Sequence, residues 1–301
     1  MIIDRQIDSI KYCTECQDFL GRPGDIKYPL VLNWLITSSC NLDCLYCFAT
    51  DVENRELAPE ELVSWVKGSE FLKIVISGGE PFSNPNIWNI IGRITNSNKQ
   101  IVIDTNGSYY FSPDECHFLK NNNIILRISL DSVNPHENTR LRCGDDRFFY
   151  KAISNIEKLT KKYAINVELQ TVITKVNIKS LAELSQMVTY WGISKWYLQR
   201  LVPAGRGADL QNLAPSEGSV RFASKKFPLD VNKYIIKEDT NSKSVILLDN
   251  FGNLITEDSS GKLRLGNILN DPSLGGSLLD LINVPNHLKR YRLMPFARCN
   301  H

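Results

Sequence analysis

The chain has 301 residues, of which 43% are hydrophobic and 23% charged, so it can bury a large core and is not a disordered protein. Lys and Arg (35) nearly balance Asp and Glu (33), so the net charge of +2 argues against nucleic acid or an acidic membrane as a partner. The N-terminus is charged where a signal peptide needs an apolar run, and no uncharged apolar run reaches membrane-spanning length. We expect a cytoplasmic protein without membrane contact, whose eight cysteines serve metal binding, catalysis or packing.

Residues 1–28 are predicted to form a separate lead-in segment, which contains the Cys-x-x-Cys pair Cys13 and Cys16. A Cys-x-His pair, Cys299 and His301, stands at the other end of the sequence. Because chain termini often lie close together, these four residues are a candidate second site for zinc or an iron-sulfur cluster. The alternative is two unrelated features, a loop pair and a frayed terminus.

Residues 29–207 alternate short β-type runs with amphipathic stretches, which indicates βα units stacked around a parallel sheet. The pattern predicts an α/β fold, specifically a partial (β/α)6 TIM-like barrel. Proline and acidic residues mark helix starts at 58–61 and 112–115. The predicted strands are 31–36, 73–76, 101–103, 124–128, 166–173 and 195–198.

Residues 208–301 change character and are predicted to form a small α+β extension. A helix is expected to start at 214–217, and a strand covers 231–236. The run 245–255 contains turn residues at 249–253, which predicts a β-hairpin.

Three cysteines with the spacing Cys-x-x-x-Cys-x-x-Cys, namely Cys40, Cys44 and Cys47, follow the first predicted strand. Chemistry in such barrels gathers at the carboxyl ends of the strands. A 4Fe-4S cubane is normally held by four cysteines, so three thiolates leave one iron free for an outside molecule. The alternative is a helical stripe of packing cysteines, but the polar residues in and before the motif favour a loop.

The triad, with Tyr46 before its last cysteine, resembles the radical S-adenosylmethionine (SAM) superfamily. Further motifs that resemble the family's follow the next predicted strands in order, and together they cover residues 30–207. The resemblance implies that Glu80, in a GGEP segment, binds the SAM ammonium group. The residues that it implies as SAM contacts are Tyr46, Gly78, Gly79, Glu80, Pro81, Thr105, Asn106, Ser129, Asp131, Arg142 and Gln170.

Several of these positions also have a structural interpretation. The GGEP segment could be a simple βα turn, and Arg142 could form a surface salt bridge. Gln170 could be a satisfied polar residue of the core. Cys143 is a candidate hydrogen-atom donor, with an incidental loop cysteine as the alternative. Cys116 is predicted to pack inside a helix, and the isolated His287 is predicted to be structural.

The resemblance implies a 4Fe-4S cluster and SAM as cofactors, and a one-electron reductant such as flavodoxin or ferredoxin as partner. It implies reductive cleavage of SAM to a 5′-deoxyadenosyl radical that abstracts a substrate hydrogen. Residues 203–207 resemble the PxGRG turn of members with a C-terminal SPASM or twitch extension, many of which modify ribosomally made peptides. The cysteines of that extension are missing, because no Cys lies between Cys143 and Cys299.

A ribosomally made peptide is therefore the leading substrate. The first alternative is a small-molecule dehydrogenase or epimerase acting on a sugar, an aminoglycoside or a nucleoside. The second, from another class, is a catalytically silent iron-sulfur protein with a binding or regulatory role.

Overall fold

The structure is a computed structural model that describes residues 5–7, 10–13, 18–47, 58–193, 195–201, 205–227, 232–236, 243–258 and 261–294. The strands are β1 Arg5–Ile7, β2 Ile10–Tyr12, β3 Phe19–Leu20, β4 Val31–Leu35, β5 Lys73–Ser77, β6 Gln100–Thr105, β7 Ile125–Ser129, β8 Val167–Ile173, β9 Lys195–Arg200, β10 Asn232–Ile236, β11 Leu247–Asp249, β12 Asn253–Asp258, β13 Gly261–Asn267 and β14 Leu293–Met294. The α-helices are α1 Glu60–Gly68, α2 Ile87–Ile94, α3 Pro113–Asn121, α4 Pro135–Arg142, α5 Asp146–Glu157, α6 Leu181–Tyr190, α7 Glu217–Ser224, α8 Leu278–Leu281 and α9 Val284–Arg290.

The larger sheet has ten strands in the order β10-β9-β8-β7-β6-β5-β4-β11-β12-β13. Strands β4 to β9 are the six that the sequence predicts, and each pairs in parallel with its neighbour. The predicted α/β fold with a partial TIM-like barrel is confirmed. Two strands of the predicted extension also join this sheet in parallel, β10 beside β9 and β11 beside β4. The division at residues 28 and 207 stays a prediction.

The predicted helix starts are confirmed, and side-chain caps explain two of them. Ser112 accepts a hydrogen bond from the backbone of Glu115, whose carboxylate accepts one from the Ser112 N–H, so a capping box begins α3. Helix α1 begins at Glu60 after a proline, and α7 begins after the cap of Ser216. Cys116 is fully buried in α3, as its packing interpretation predicts. No helix of the described residues is long and apolar enough to cross a membrane.

The two faces of the strands bury different cores, because successive side chains point to opposite sides of a sheet. One face packs Trp34, Ile103, Leu126 and their neighbours into the main core, together with residues of the helices. On the opposite face, a second cluster lies near the amino-terminal ends of the strands. Its members are Ile10, Tyr12, Phe19, Leu30, Val31, Leu72, Val75, Val102, Ile125 and Leu288.

The lead-in segment closes the amino-terminal end of the barrel, away from the carboxyl ends where the cysteine triad is predicted. Strands β1, β2, β3 and β14 form a small sheet, in which Leu293 pairs with Phe19. Cys13 is buried at the end of β2, and its N–H donates to Asp18 at 3.0 Å. Cys16, Cys299 and His301 lie outside the described residues, so the second metal site stays a prediction.

His287 of α9 joins two distant parts of the chain and has no exposed surface. Its Nε2 accepts the N–H of Leu30 at 2.9 Å, which places the ring proton on Nδ1, 2.7 Å from the carbonyl oxygen of Ser244. The structural role predicted for this residue is confirmed. Burial lowers the pKa of His287 from 6.5 to about 4, so the ring is neutral in the folded protein at neutral pH.

We expect acid to destabilise the protein through His287. Between pH 6.5 and about 4 the unfolded chain binds a proton that the folded chain excludes, so stability present above pH 6.5 is lost as the pH falls. The contribution is about 3 kcal/mol. Urea denaturation of cluster-free protein across this range measures it. His287→Gln should be less stable at neutral pH and show a shallower pH dependence, and an unchanged dependence would contradict the assignment.

Candidate active site

The cysteine triad lies in the loop that leaves the carboxyl end of β4. Cys40 is exposed, and Cys44 and Cys47 are half-buried. Burial raises the pKa of the Cys44 thiol to about 11, Arg142 opposes this shift, and Cys40 and Cys47 reinforce it. The three sulfurs are therefore close enough to interact electrostatically. The Leu42 N–H donates to the Cys40 sulfur at 3.4 Å, a contact of the kind that tunes cluster potentials.

This donor set fits a 4Fe-4S cluster better than a single ion. Among the described residues, no three His, Cys, Asp or Glu side chains form a single-ion site. A cubane does not need one, because each thiolate ligates a different iron. Three thiols in one loop, with the Arg142 guanidinium beside Cys44, match that requirement.

The Gly78-Gly79-Glu80 segment after β5 packs directly on the start of the cysteine loop. The N–H groups of Gly79 and Glu80 donate to the carbonyl oxygens of Thr37 and Ser39, both at 2.8 Å. A Cβ on Gly78 would lie 2.3 Å from the Thr37 oxygen, and one on Gly79 would lie 2.1 Å from the Ser39 oxygen. Gly78 also has a φ of +129°. The resemblance assigns these glycines to SAM binding, and the structure adds a packing requirement that the sequence alone does not reveal.

Glu80 is 3% exposed and joins the ends of two strands. Its Oε1 accepts the Thr105 hydroxyl at 2.7 Å and the Phe82 N–H at 3.2 Å, while Oε2 accepts the Asn106 N–H at 2.7 Å. Burial raises the pKa of Glu80, and these donors oppose the shift. A carboxylate has about four acceptor positions, so one remains for a further donor. Pro81 is buried at the start of the following 3-10 turn.

A second network of side chains ties the cysteine loop to the end of β6. Asn106 donates through Nδ2 to Asn41 Oδ1 at 2.7 Å, and Asn41 donates through Nδ2 to the Ser108 hydroxyl at 2.9 Å. Sequence reasoning included Asn106 and missed Asn41 and Ser108. Their polar type beside the two motifs is the one signal that could have found them.

Tyr46, Asp131 and Arg142 form a buried cluster where the cysteine loop meets the end of β7. The Tyr46 hydroxyl donates to Asp131 Oδ2, and Arg142 Nη1 lies 3.4 Å from the same oxygen and 3.3 Å from the hydroxyl. Asp131 Oδ1 accepts the Val172 N–H at 2.8 Å. Arg142 thus forms a salt bridge, as its structural interpretation predicts, but the bridge is buried and not on the surface, because the Arg142 side chain is 11% exposed. Burial and Asp131 raise the pKa of Tyr46, which keeps the phenol protonated.

We expect Asp131→Asn to lower the free energy of unfolding by about 3 kcal/mol, because it leaves Arg142 buried without its anion. Tyr46→Phe removes one hydroxyl and keeps the ion pair, so it should cost about 1 kcal/mol. Urea denaturation of the cluster-free proteins gives both values. Equal losses of unfolding free energy in the two variants would show that the ion pair contributes no more to stability than the Tyr46 hydroxyl does.

Residues 142–144, with the sequence Arg-Cys-Gly, contact the other side of the cysteine loop. A Cβ on Gly144 would lie 2.5 Å from Leu42 Cδ2, and the Leu45 N–H donates to the Leu141 carbonyl at 3.0 Å. Between them, Cys143 ends α4 with a φ of 47° and is exposed. It therefore lies beside the triad, and its role as a hydrogen donor stays a prediction.

The remaining predicted residues lie around the same end of the barrel. Ser129 of β7 pairs in register with Gln170 of β8, and both are half-buried. In the turn Gly205–Gly207, the Arg206 N–H donates to the Cys47 carbonyl at 3.1 Å, and its side chain pairs with Asp43. Residues 203 and 204 of the predicted PxGRG turn lie outside the described residues. The structure thus brings the cysteine loop and the predicted SAM contacts together.

Known proteins resemble the chain in sequence and in fold. It is 25% identical over 187 residues to the mycofactocin maturase MftC of Mycolicibacterium smegmatis, covering 60% of this chain and 47% of that protein. It is 24% identical over 196 residues to the AdoMet-dependent heme synthase of Methanosarcina barkeri, covering 63% and 55%. The chain thus spans about half the length of the curated relatives it matches.

The crystal structure of Streptococcus suis SuiB bound to SAM superposes with a TM-score of 0.64 at 16% identity, covering 88% of this chain and 68% of SuiB. SuiB has also been solved with its precursor peptide SuiA. The sequence profile of the radical SAM superfamily matches residues 34–188, slightly more than half of the chain. Because that match includes the cysteine loop and the ends of the five strands that surround it, the chain belongs to the radical SAM superfamily.

Proposed function

We propose that this protein is an active radical SAM enzyme that modifies a ribosomally made peptide. The observation that carries the enzymatic part is the joining of the cysteine loop to three strand ends, through Gly79, Asn106 and Asp131. A protein that only stored a cluster would not need these buried carboxylate and amide contacts. They support an intact catalytic site over the silent iron-sulfur alternative.

In this proposal Cys40, Cys44 and Cys47 would hold the 4Fe-4S cluster, which would supply one-electron reduction of SAM. Glu80, fixed by three donors, offers its remaining acceptor position to the SAM ammonium group. Arg142 lies beside Cys44, where its positive charge stabilises the thiolate form that binds iron. A reducing cytoplasmic compartment and a one-electron reductant such as flavodoxin or ferredoxin belong to the same proposal.

The peptide substrate rests on the relatives. MftC is a maturase, and SuiB has been crystallised with a precursor peptide. The second candidate is a small-molecule substrate, which is favoured by the similarity to a heme synthase and by the absence of cysteines between Cys143 and Cys299.

A turnover assay separates the candidates. Reconstituted protein with SAM and dithionite is incubated with a panel of short synthetic peptides, and in parallel with a nucleoside and a sugar nucleotide. We expect a mass change in at least one peptide and a peptide-dependent rise in 5′-deoxyadenosine release. Conversion of a small molecule with every peptide unchanged would establish the alternative.

A further inference from the structure

The interior of the barrel is polar near the candidate active site. In β6, β7 and β8, the facing residues Asp104, Arg127 and Glu168 are paired in register at one level. At the next level toward the active site, Gln170 is paired with Ser129 on one side and with Tyr197 on the other. A TIM-like barrel ordinarily fills such positions with branched apolar residues. These polar residues therefore suggest a binding well rather than a packed core.

The well is closed at the amino-terminal ends of the strands and open at their carboxyl ends. Val75, Val102 and Ile125 lie one level deeper and are buried against Tyr12 and Phe19 of the lead-in hairpin. The Arg127 side chain is 15% exposed and that of Asp104 is 28% exposed. A ligand therefore reaches these two residues from the carboxyl ends of the strands, the same side as the cysteine loop.

Arg127 is held in place but keeps most of its donors. Its Nε donates to Asp104 Oδ1 at 2.7 Å, and its guanidinium carbon lies 5.0 Å from the centre of the Tyr197 ring. The Tyr197 hydroxyl in turn donates to Glu168 at 3.4 Å. Among the described residues, the two Nη groups of Arg127 have no acceptor. These groups form the planar fork that matches a carboxylate or phosphate.

The surrounding charges keep Arg127 cationic. Burial alone would lower its pKa, but Asp104 and Glu168 raise it above the ordinary value. Oδ1 of Asp104 accepts the hydrogen bond from Arg127 Nε and so orients the two Nη groups. Glu168 is 1% exposed and accepts the hydrogen bond from the Tyr197 hydroxyl. Deeper still, Lys73 and Lys195 are 8% and 4% exposed, and burial lowers the pKa of both, to about 7 for Lys73. Lys195 pairs with Asp18 at 3.3 Å, so Arg127 is the cation of the well that faces the active site.

The geometry points to Arg127 as a specificity-determining residue that binds an anionic oxygen group of the substrate, a carboxylate or a phosphate, inside the barrel. Asp104 and Tyr197 are positioning residues for its guanidinium. This inference rests on the proposed function, because it names the substrate group that the same site accepts.

Binding to the reconstituted, SAM-loaded protein tests it with succinate and inorganic phosphate as probes. We expect at least one probe to raise the melting temperature of the wild type and of Arg147→Met, a control at an arginine whose side chain is 83% exposed. Arg127→Met should lose the shift. Arg127→Lys keeps the charge without the fork and should bind about tenfold more weakly. Equal shifts in wild type and both Arg127 variants, or no shift in the wild type, would overturn the inference.

A separate arm of the experiment determines whether the bound anion is a carboxylate or a phosphate. A short peptide containing Glu is compared with its Gln counterpart, and a nucleoside monophosphate with its nucleoside. Selective binding of the Glu peptide identifies a carboxylate, and selective binding of the monophosphate identifies a phosphate. Substrate-free release of 5′-deoxyadenosine is measured in the same samples, so a failure of radical chemistry is distinguished from a failure of anion binding.

Discussion

Cys44→Ala is expected to remove the iron-sulfur absorbance of the reconstituted protein and to reduce release of 5′-deoxyadenosine to background. The loss should be complete. A cubane held by three cysteines already has one iron without a protein ligand, and removing Cys44 would leave a second iron without one. The sulfur of Cys44 is half-buried beside Arg142, and no other described cysteine lies in the same loop except Cys40 and Cys47. Iron analysis and visible absorbance after anaerobic reconstitution measure the result.

Cys116→Ala is the matched control, since it also removes one thiol. Cys116 is buried among apolar residues of the main core, so this variant should lose some stability and keep its full iron content. A Cys44→Ala protein with wild-type iron content would show that the triad is not the cluster site. Residual iron that depends on Cys13 would instead support the predicted second site.

Gly79→Ala is expected to have the second-largest effect. Its Cβ would lie 2.1 Å from the carbonyl oxygen of Ser39, and a backbone atom cannot move aside as a side chain can. The clash must separate the GGEP segment from the cysteine loop. We expect a loss of about 2 to 3 kcal/mol in the free energy of unfolding, together with loss of SAM binding.

Gly92→Ala supplies the control for this prediction. Gly92 lies in α2, and a Cβ there would meet nothing within 4 Å. Alanine in a helix interior should stabilise the protein by about 0.5 to 1 kcal/mol. Urea denaturation and SAM titration of both variants give the comparison. Wild-type SAM affinity in Gly79→Ala would contradict the close packing of the two loops.

The sequence predicts those parts of the protein that depend on local pattern. The six barrel strands follow from runs of β-type residues, and the α3 start follows from Ser112 and Glu115, which contact each other within one turn. The triad is also local, because its three cysteines lie within eight residues. In each case the residues that determine the local structure lie close together in the sequence.

Contacts between segments far apart in the sequence could not be predicted from the sequence pattern. The addition of β10 and β11 to the main sheet depends on which strand edges meet, and a short β-type run does not specify its partner. The close approach of Gly79 to Ser39 joins loops after different strands. Arg127 shows the same limit, because its interior position depends on the register of β7 between β6 and β8. An isolated arginine in a predicted strand gives no sign of that environment.

The joined loops are expected to form a working radical SAM site. The most direct test is anaerobic incubation of the reconstituted protein with SAM and dithionite, followed by chromatography for 5′-deoxyadenosine and methionine. We predict that both products form in equal amounts with wild-type protein and that neither forms with Cys44→Ala. A fully cluster-loaded wild-type protein that binds SAM and releases neither product would contradict the claim.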